Sequence, residues 1–492
     1  MGRLERVSAY EELKGGQGRR VYYRPERFLA DQIYGRVPPV AEVGGTMHTI
    51  LDLSMSGIAV LVDDRTEPLR FPIGEDLPLK IRFSDRVFYD GRGKVIRYET
   101  NAFRPKLALQ LTRGYLDVPG SVRLHREVAL RSALTQGTSG RLARVDPQYR
   151  MLTADVVHLL RSLRSVLAEQ KAAAPGALDE SLIDDTLAAC ERDVLREWRS
   201  LWLRANELVQ PLEDDPEAKL ATKRFTELTL TPEFLDGAIW RRSYEKPLGY
   251  PGDFEVMNYV YRWRPEGSNS FGRLVHRLGL DVGEFIASRM VAVQHAITRE
   301  IASQPASSEP MLIANLGAGP AQEVVNVLQM PKLERPVTFA LIDQDLEALS
   351  ATYERTYPLT KRSDSRAEVR CLHVSFTELL RSGSLFRRLQ PPDMIYSIGL
   401  LDYLPQRRAR RLIADLMEQL RPGGKLMIAN MRQWPGSIIW PLEYIADWSL
   451  VYRTENEMRD LADGLDAESA EITTDDTKQA YLLTLRKRST AS

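Results

Sequence analysis

The chain has 492 residues, more than one hydrophobic core usually organises, so about two to four domains are expected. Its composition, 43% hydrophobic and 27% charged, is that of an ordinary globular protein and excludes a disordered or fibrous chain. Lys plus Arg equals Asp plus Glu at 67 each, so the molecule as a whole has no pull toward nucleic acid or anionic membrane, and any basic site has to be local. Cys190 and Cys371 stand too far apart and too alone for a disulfide framework or a cysteine-rich zinc site. The six histidines never fall at helical ligand spacing, so no metal is expected. The N-terminus lacks the apolar run of a signal peptide, and no stretch nears the ~20 apolar residues that span a bilayer, so a cytoplasmic location is expected.

From about Arg20 to Leu116 the apolar residues come in short, β-branched runs: Thr49 to Leu53, Gly57 to Val62, Leu77 to Phe83, Gly93 to Tyr98 and Leu107 to Leu111. Turn-rich pieces such as Gly44-Gly45 and Asp90-Gly91 separate them, which predicts a small β-barrel or sandwich. Ahead of it, Arg19-Arg20-Val-Tyr-Tyr-Arg24 offers guanidiniums that can clamp a compact bis-phosphate and stack on guanine. Asp52-Leu-Ser-Met-Ser-Gly57 adds Asp52 and Ser54 for a guanine edge, and Gly57 for close backbone approach. These two pieces match the R-x-x-x-R and [D/N]-x-S-x-x-G motifs of PilZ domains, and the resemblance covers about residues 17–116. It implies cyclic di-GMP as a regulatory ligand held by Arg19, Arg20, Arg24, Asp52, Ser54 and Gly57.

Between about residues 121 and 303 the spacing turns helical, as in Val156, Leu159, Leu160, Leu163 and again in Leu187, Val194, Leu195, Trp198, Trp202. The two apolar stripes could form a homodimer seam or pack against the chain's own domains. Within this region Tyr244 to Tyr261 is dense in Gly, Pro, Tyr and charge, and reads either as a turn between helices or as a lid with Tyr250, Asp253 and Asn258 facing acceptor or cofactor.

Beyond Pro305 to Pro310, buried-looking strands alternate with helices: Met311 to Leu316, Thr338 to Ile342, Arg370 to Val374, Asp393 to Ile398 and Lys425 to Ala429. That alternation predicts a parallel, doubly wound α/β sheet. The first strand runs into Gly317-x-Gly319 and a helix from Glu323 to Met330, a bend that brings backbone and helix N-terminus close to an anionic group. Asp343, 26 residues beyond Gly317, sits at the tip of the second strand, where a carboxylate can accept from both ribose hydroxyls of an adenosine or cap the following helix. Ser375 and Phe376 follow the third strand, beside an adenine; Ser397 and Gly399 end the fourth; Leu420-Arg-Pro-Gly-Gly-Lys leads into the fifth.

In order and spacing these pieces resemble the class I S-adenosylmethionine methyltransferases over about residues 305–488. The resemblance implies S-adenosylmethionine as cofactor, with Gly317 and Gly319 at its methionine part and Asp343 on its ribose. The acidic residue common just before the first glycine is here Asn315, which cannot make a charge-assisted bond to the cofactor ammonium and keeps open a non-catalytic signalling adaptor with a degenerate site. A third glycine for NAD would fall at Gln322, against a dehydrogenase. With the 244–261 segment, the C-terminal region also resembles bacterial methyltransferases that make 3-hydroxypalmitic acid methyl ester, implying a small-molecule or lipid-derived carboxylate acceptor. A carboxylate needs no general base; for other acceptors Asp402 and Tyr403 are the nearest candidates, or else they cap and pack. Zero net charge and the lack of an N/D-P-P-Y-type motif argue against nucleic acid. The whole is expected to be a multidomain α/β protein, a cyclic di-GMP-responsive methyltransferase.

Overall fold

The computed structural model describes residues 11–14, 20–23, 27–35, 39–62, 71–83, 86–99, 106–138, 142–173, 180–303, 309–330, 333, 335–362, 365–374 and 390–489. The chain divides into two compact units, 1–140 and 141–492.

In the first unit, β1 (Glu11–Lys14) and β2 (Arg20–Tyr23) form an antiparallel pair. The sheet proper contains β3 (Phe28–Leu29), β4 (Val40–Val43), β5 (Thr46–Leu53), β6 (Gly57–Leu61), β7 (Asp76–Phe83), β8 (Arg86–Glu99) and β9 (Lys106–Leu111). Its order is β3-β5-β4-β7-β8-β9-β6, and β6 pairs back onto β5, so among the described residues six strands close into a barrel with β3 added outside the ring. Alternation fills the barrel: Leu77, Leu79, Ile81 and Phe83 of β7 are buried while Asp76, Pro78 and Lys80 between them are exposed. Gly44 and Gly45, at φ 55° and 85°, make the expected tight hairpin between β4 and β5.

Asp90-Gly91, expected as a turn, lies instead inside β8, opposite Lys80 and Leu79. Glycine is needed there for room, because a Cβ at Gly91 would come within 2.6 Å of the Tyr89 hydroxyl, which folds over it to donate to Arg113 O at 2.7 Å. The helix Val118–Thr138 completes this unit.

The second unit combines the helical middle with a seven-stranded sheet. The strands are β10 (Met311–Leu316), β11 (Val337–Asp343), β12 (Ala367–His373), β13 (Met394–Ser397), β14 (Lys425–Met431), β15 (Ala467–Thr474) and β16 (Ala480–Lys487), in the order β12-β11-β10-β13-β14-β16-β15. Five are parallel, as expected, and helices cover them; all six residues of β10 are buried, the pattern of a strand packed on both faces. β16 enters antiparallel between β14 and β15, a pair the sequence reading did not contain.

The apolar stripes of the helices Pro147–Ala173 and Glu180–Val209 go into the chain's own core, the second of the two outcomes left open: Val156, Leu160, Leu195, Trp198 and Trp202 are buried together. Trp198 packs against Phe234, Trp240 and Trp440 at ring separations of 5.4, 6.2 and 5.9 Å. Trp440 donates its indole N–H to Tyr149 at 2.7 Å, which fastens a π-helical segment, Trp440–Ile445, to the helical middle.

The long helix Ser270–Ser303 is tied to the sheet at its far end by Glu300. Its two carboxylate oxygens accept from Arg486 at 2.7 and 2.9 Å, and Lys425 lies 2.5 Å away. Burial alone would raise this carboxyl, but Arg486 and Lys425 override it and hold it at about 2, below the ordinary 4.5. The stabilisation is therefore present above pH ~4.5 and is lost as pH falls toward ~2. Glu300→Gln, which leaves two cations facing an amide, should lower stability at neutral pH by about 3 kcal/mol. In denaturant unfolding, the gap to the parent protein should close as pH falls below ~4.

Candidate functional site

Where β10 ends, the backbone turns through three left-handed residues, Gly317 (φ 70°), Gly319 (φ 51°) and Ala321 (φ 42°). Ala321 caps the helix Gln322–Leu328 in a conformation that costs an alanine about 1 kcal/mol, the kind of local strain found where backbone is shaped around a ligand. A Cβ at Gly319 would meet nothing within 4 Å, so open space lies on that side of the loop. The Gly317 and Ala318 N–H groups donate to Ile342 O, and Thr352 Oγ1 donates to Gly319 O at 2.9 Å, so β11 and the helix Leu346–Thr360 hold the loop's shape.

Asp343 stands beside this loop. Its Oδ2 accepts from Gly319 N at 2.8 Å and its Oδ1 from Asp345 N at 2.9 Å, so the carboxylate bridges the two strand ends, with the Gln344 N–H as a third backbone neighbour. Burial raises its pKa, against the opposing pull of the Gly319 and Asp345 N–H groups.

Behind the loop, Asn315 is 1% exposed. Its Nδ2 donates to Glu323 Oε1 at 3.0 Å, and Tyr396 Oη donates to the same oxygen at 2.8 Å. Asn315 Oδ1 is buried with no hydrogen-bond partner. Burial pushes Glu323 up to about 6, although Tyr396, Arg355 and Asn315 each favour its ionised form.

Ser397 is buried and donates to Leu316 O at 2.6 Å, which locks β13 to β10. Gly399 lies in the bend that follows, with open space where a Cβ would be. Ser375 and Phe376 lie outside the described residues. Asp402 is buried with both oxygens engaged, Oδ2 by Arg289 Nη1 at 2.8 Å and Oδ1 by Met431 N at 2.7 Å. Tyr403 Oη accepts from the Trp448 indole at 2.9 Å.

The segment 244–262 adds a wall. Tyr250 donates to Asp345 Oδ2 at 3.0 Å, two residues from Asp343, and burial together with the Asp345 and Asp343 charges holds its phenol protonated well above the usual range. Asp253 is fully buried and already committed: it caps the helix Phe254–Arg262 and takes both its oxygens to Arg242 Nε at 2.7 and 2.8 Å. Asn258 donates to Glu255 at 2.9 Å. Tyr261, on the same helix, is raised by burial and by the nearby Glu323 charge.

The same unit holds a small apolar cavity of about 20 Å³, room for a single water, lined by Ile239, Trp240, Val256, Gly283, Phe285 and Trp448. Two of its lining residues reach polar neighbours: Phe285 lies 4.7 Å beneath the Arg289 guanidinium, and Trp448 donates to Tyr403.

Glu323, Tyr396, Tyr261 and Arg289 were not singled out from sequence. Arg289 had a readable signal: it shares the buried face of its helix with Phe285, Ile286, Met290 and Val293, where a lone charge needs a partner. Among the described residues no cluster of His, Cys, Asp or Glu could hold a metal, and no helix is long and apolar enough to cross a membrane.

Six strands running one way with the antiparallel β16 inserted between the last two, and a glycine loop facing a strand-tip carboxylate, define a Rossmann-like sheet of the methyltransferase type. Residues 248–351 match a family model described as "Putative methyltransferase", a stretch that contains Tyr250, Asn315, the glycine loop, Glu323 and Asp343. The second unit is a methyltransferase domain. No curated protein shows significant similarity to the chain. Among solved structures it is similar to a possible exported protein from Bordetella parapertussis, at 14% identity over 60% of this chain and 97% of that one, TM-score 0.39. It is also similar to magnesium protoporphyrin IX methyltransferase (ChlM) from Synechocystis PCC 6803 with bound SAH, at 13% identity over 50% and 97%, TM-score 0.34. A third is the N-methyltransferase NodS from Bradyrhizobium japonicum WM9, at 16% over 41% and 97%, TM-score 0.28.

The 244–253 segment rests on Trp448: a Cβ at Gly252 would stand 2.3 Å from its ring. Since Trp448 is 5% exposed and bonded to Tyr403, it has little room to yield. Gly252→Ala should cost about 1–3 kcal/mol and speed protease cleavage within 244–253. Cleavage no faster than in the parent protein would show that the segment is not seated there.

Proposed function

We propose that the second unit transfers a methyl group from S-adenosylmethionine to a small or fatty-acid-derived carboxylate, and that the barrel, taken as residues 17–116, binds cyclic di-GMP and regulates that transfer. The observation that carries the first part is the cradle: a glycine loop with open space at Gly319, the Asp343 carboxylate beside it, and the orphaned acceptor Asn315 Oδ1 behind. These residues fit the cofactor. Asp343 would take the ribose hydroxyls, the loop the methionine part and Asn315 the ammonium; the cofactor supplies an electrophilic methyl on a sulfonium, and the protein supplies alignment and exclusion of water.

The buried Arg289, whose Nε has no partner, favours a carboxylate on the acceptor. A carboxylate is already a competent nucleophile, which agrees with Asp402 being spent on Arg289 and Met431 rather than free to act as a base.

On the barrel, Asp52 and Ser54 lie together where β5 turns into β6. Ser54 Oγ accepts from Gly57 N at 3.1 Å, Asp52 is paired with Arg27 at 2.7 Å, and Gly57 packs where a Cβ would stand 2.7 Å from Leu109 O. Arg19 and Arg24 lie outside the described residues, and only the backbone of Arg20 is described, in β2.

Calorimetry with S-adenosylhomocysteine should show saturable binding, weakened at least ~10-fold by Asp343→Ala through the lost ribose hydrogen bonds. No binding by the parent protein would leave the adaptor reading in its place. Incubation with labelled methyl donor and a bacterial lipid extract should label a methyl ester. Adding cyclic di-GMP should change the rate, and Arg24→Ala should abolish the change; a rate indifferent to saturating cyclic di-GMP would sink the regulatory part.

A further inference from the structure

An amide, Asn315, stands where the site calls for an acid, and its orientation is fixed by its neighbour. A carboxylate only accepts, so the Asn315 NH₂ faces Glu323, 3.0 Å away, and the carbonyl oxygen faces away from it, buried and without a partner. That oxygen can accept from an ammonium but carries no charge of its own. The charge stands one residue behind it, on a glutamate that opens the helix after the glycine loop and is 2% exposed.

We propose that Glu323 is a positioning residue for the cofactor, supplying through Asn315 the negative charge that holds the ammonium of its methionine part. This rests on the S-adenosylmethionine reading given above. Asn315 then acts as a relay. Its NH₂ is polarised by the carboxylate, which strengthens the acceptor on its other side. The Tyr396 hydroxyl, on the same Glu323 oxygen at 2.8 Å, keeps the carboxylate from turning away.

The groups facing Glu323 come from four elements: Asn315 on β10, Tyr396 on β13, Tyr261 on the helix Phe254–Arg262 and Arg355 on the helix Leu346–Thr360. Arg355 is itself engaged by Gln322 Oε1 and Pro320 O, and so is a fixed neighbour rather than a direct partner. Burial holds Glu323 at about 6, so near that pH part of the population carries a proton that an arriving ammonium expels. Cofactor affinity therefore rises with pH through ~6 and levels off above ~7, with proton release on binding below that.

The test compares S-adenosylhomocysteine with its deamino analogue, identical but for the missing ammonium, by calorimetry on the full chain. Glu323→Gln should weaken S-adenosylhomocysteine roughly 10–100-fold and flatten its pH dependence, while the deamino analogue changes by no more than about twofold. Asn315→Ala, which removes the bridge but leaves the carboxylate, should give the same ammonium-selective loss. Asn315→Asp in the Glu323→Gln background should restore binding by placing the charge directly at the ligand. Retained binding of the deamino analogue also reports that each variant is folded. An equal loss for both ligands, or no loss for either, would overturn the proposal. Failure of the parent protein to bind S-adenosylhomocysteine at all would instead overturn the S-adenosylmethionine reading and remove the basis for this one.

Discussion

The site depends on one short hydrogen bond, from the Gly319 amide to Asp343 Oδ2. It joins the loop after β10 to the tip of β11, so a single buried carboxylate sets the curvature of the glycine turn and is itself held in place by it. A left-handed turn is entropically costly for a free chain. Here it is fastened at three points, by Asp343, by Ile342 O and by Thr352, which makes it a rigid cradle instead of a flexible loop. The strain in Ala321 is tolerated because its surroundings over-determine it.

Around the cradle the charges are paired in a graded way. Asp402 and Arg289 neutralise each other deep between β14 and the long helix, a buried pair that fixes position more than it adds stability. Glu323 has hydroxyl and amide partners but no cation bonded to it, and burial lifts it to about 6; burial raises Asp402 as well, against the pull of Arg289. The two differ in who sits beside them: a guanidinium neutralises the carboxylate of Asp402, whereas Glu323 keeps its charge next to an amide.

Much of this arrangement was legible in the sequence because it is written in period and punctuation. Near-continuous apolar runs such as Met311 to Leu316, interrupted by Asn315 alone, read as strands buried on both faces, and Gly44-Gly45 reads as a tight turn. Asp343 could be placed by counting from Gly317. What escaped was information carried by tertiary contact. Asp90-Gly91 has the composition of a turn, but its glycine answers to the ring of Tyr89. β15, Ala-Glu-Ser-Ala-Glu-Ile-Thr-Thr, is an exposed edge with little apolar patterning, so no period marks it. Glu323 looked like an ordinary charge in the first turn of a helix, and its meaning came only from Asn315, which precedes it by eight residues, and Tyr396, 73 residues further on.

The place of β16 has a consequence for biogenesis. Because this strand inserts between β14 and β15, β14 presents an unpaired edge to solvent throughout the time the ribosome is adding residues 432–479. Arg486, on the same late strand, is also a partner for Glu300, so until then the far end of the long helix has only Lys425 and its apolar contacts to hold it. A nascent chain halted in that interval would already contain the glycine loop, the strand-tip carboxylate and the buried glutamate, yet would offer a sticky apolar ladder to any chaperone or neighbouring chain.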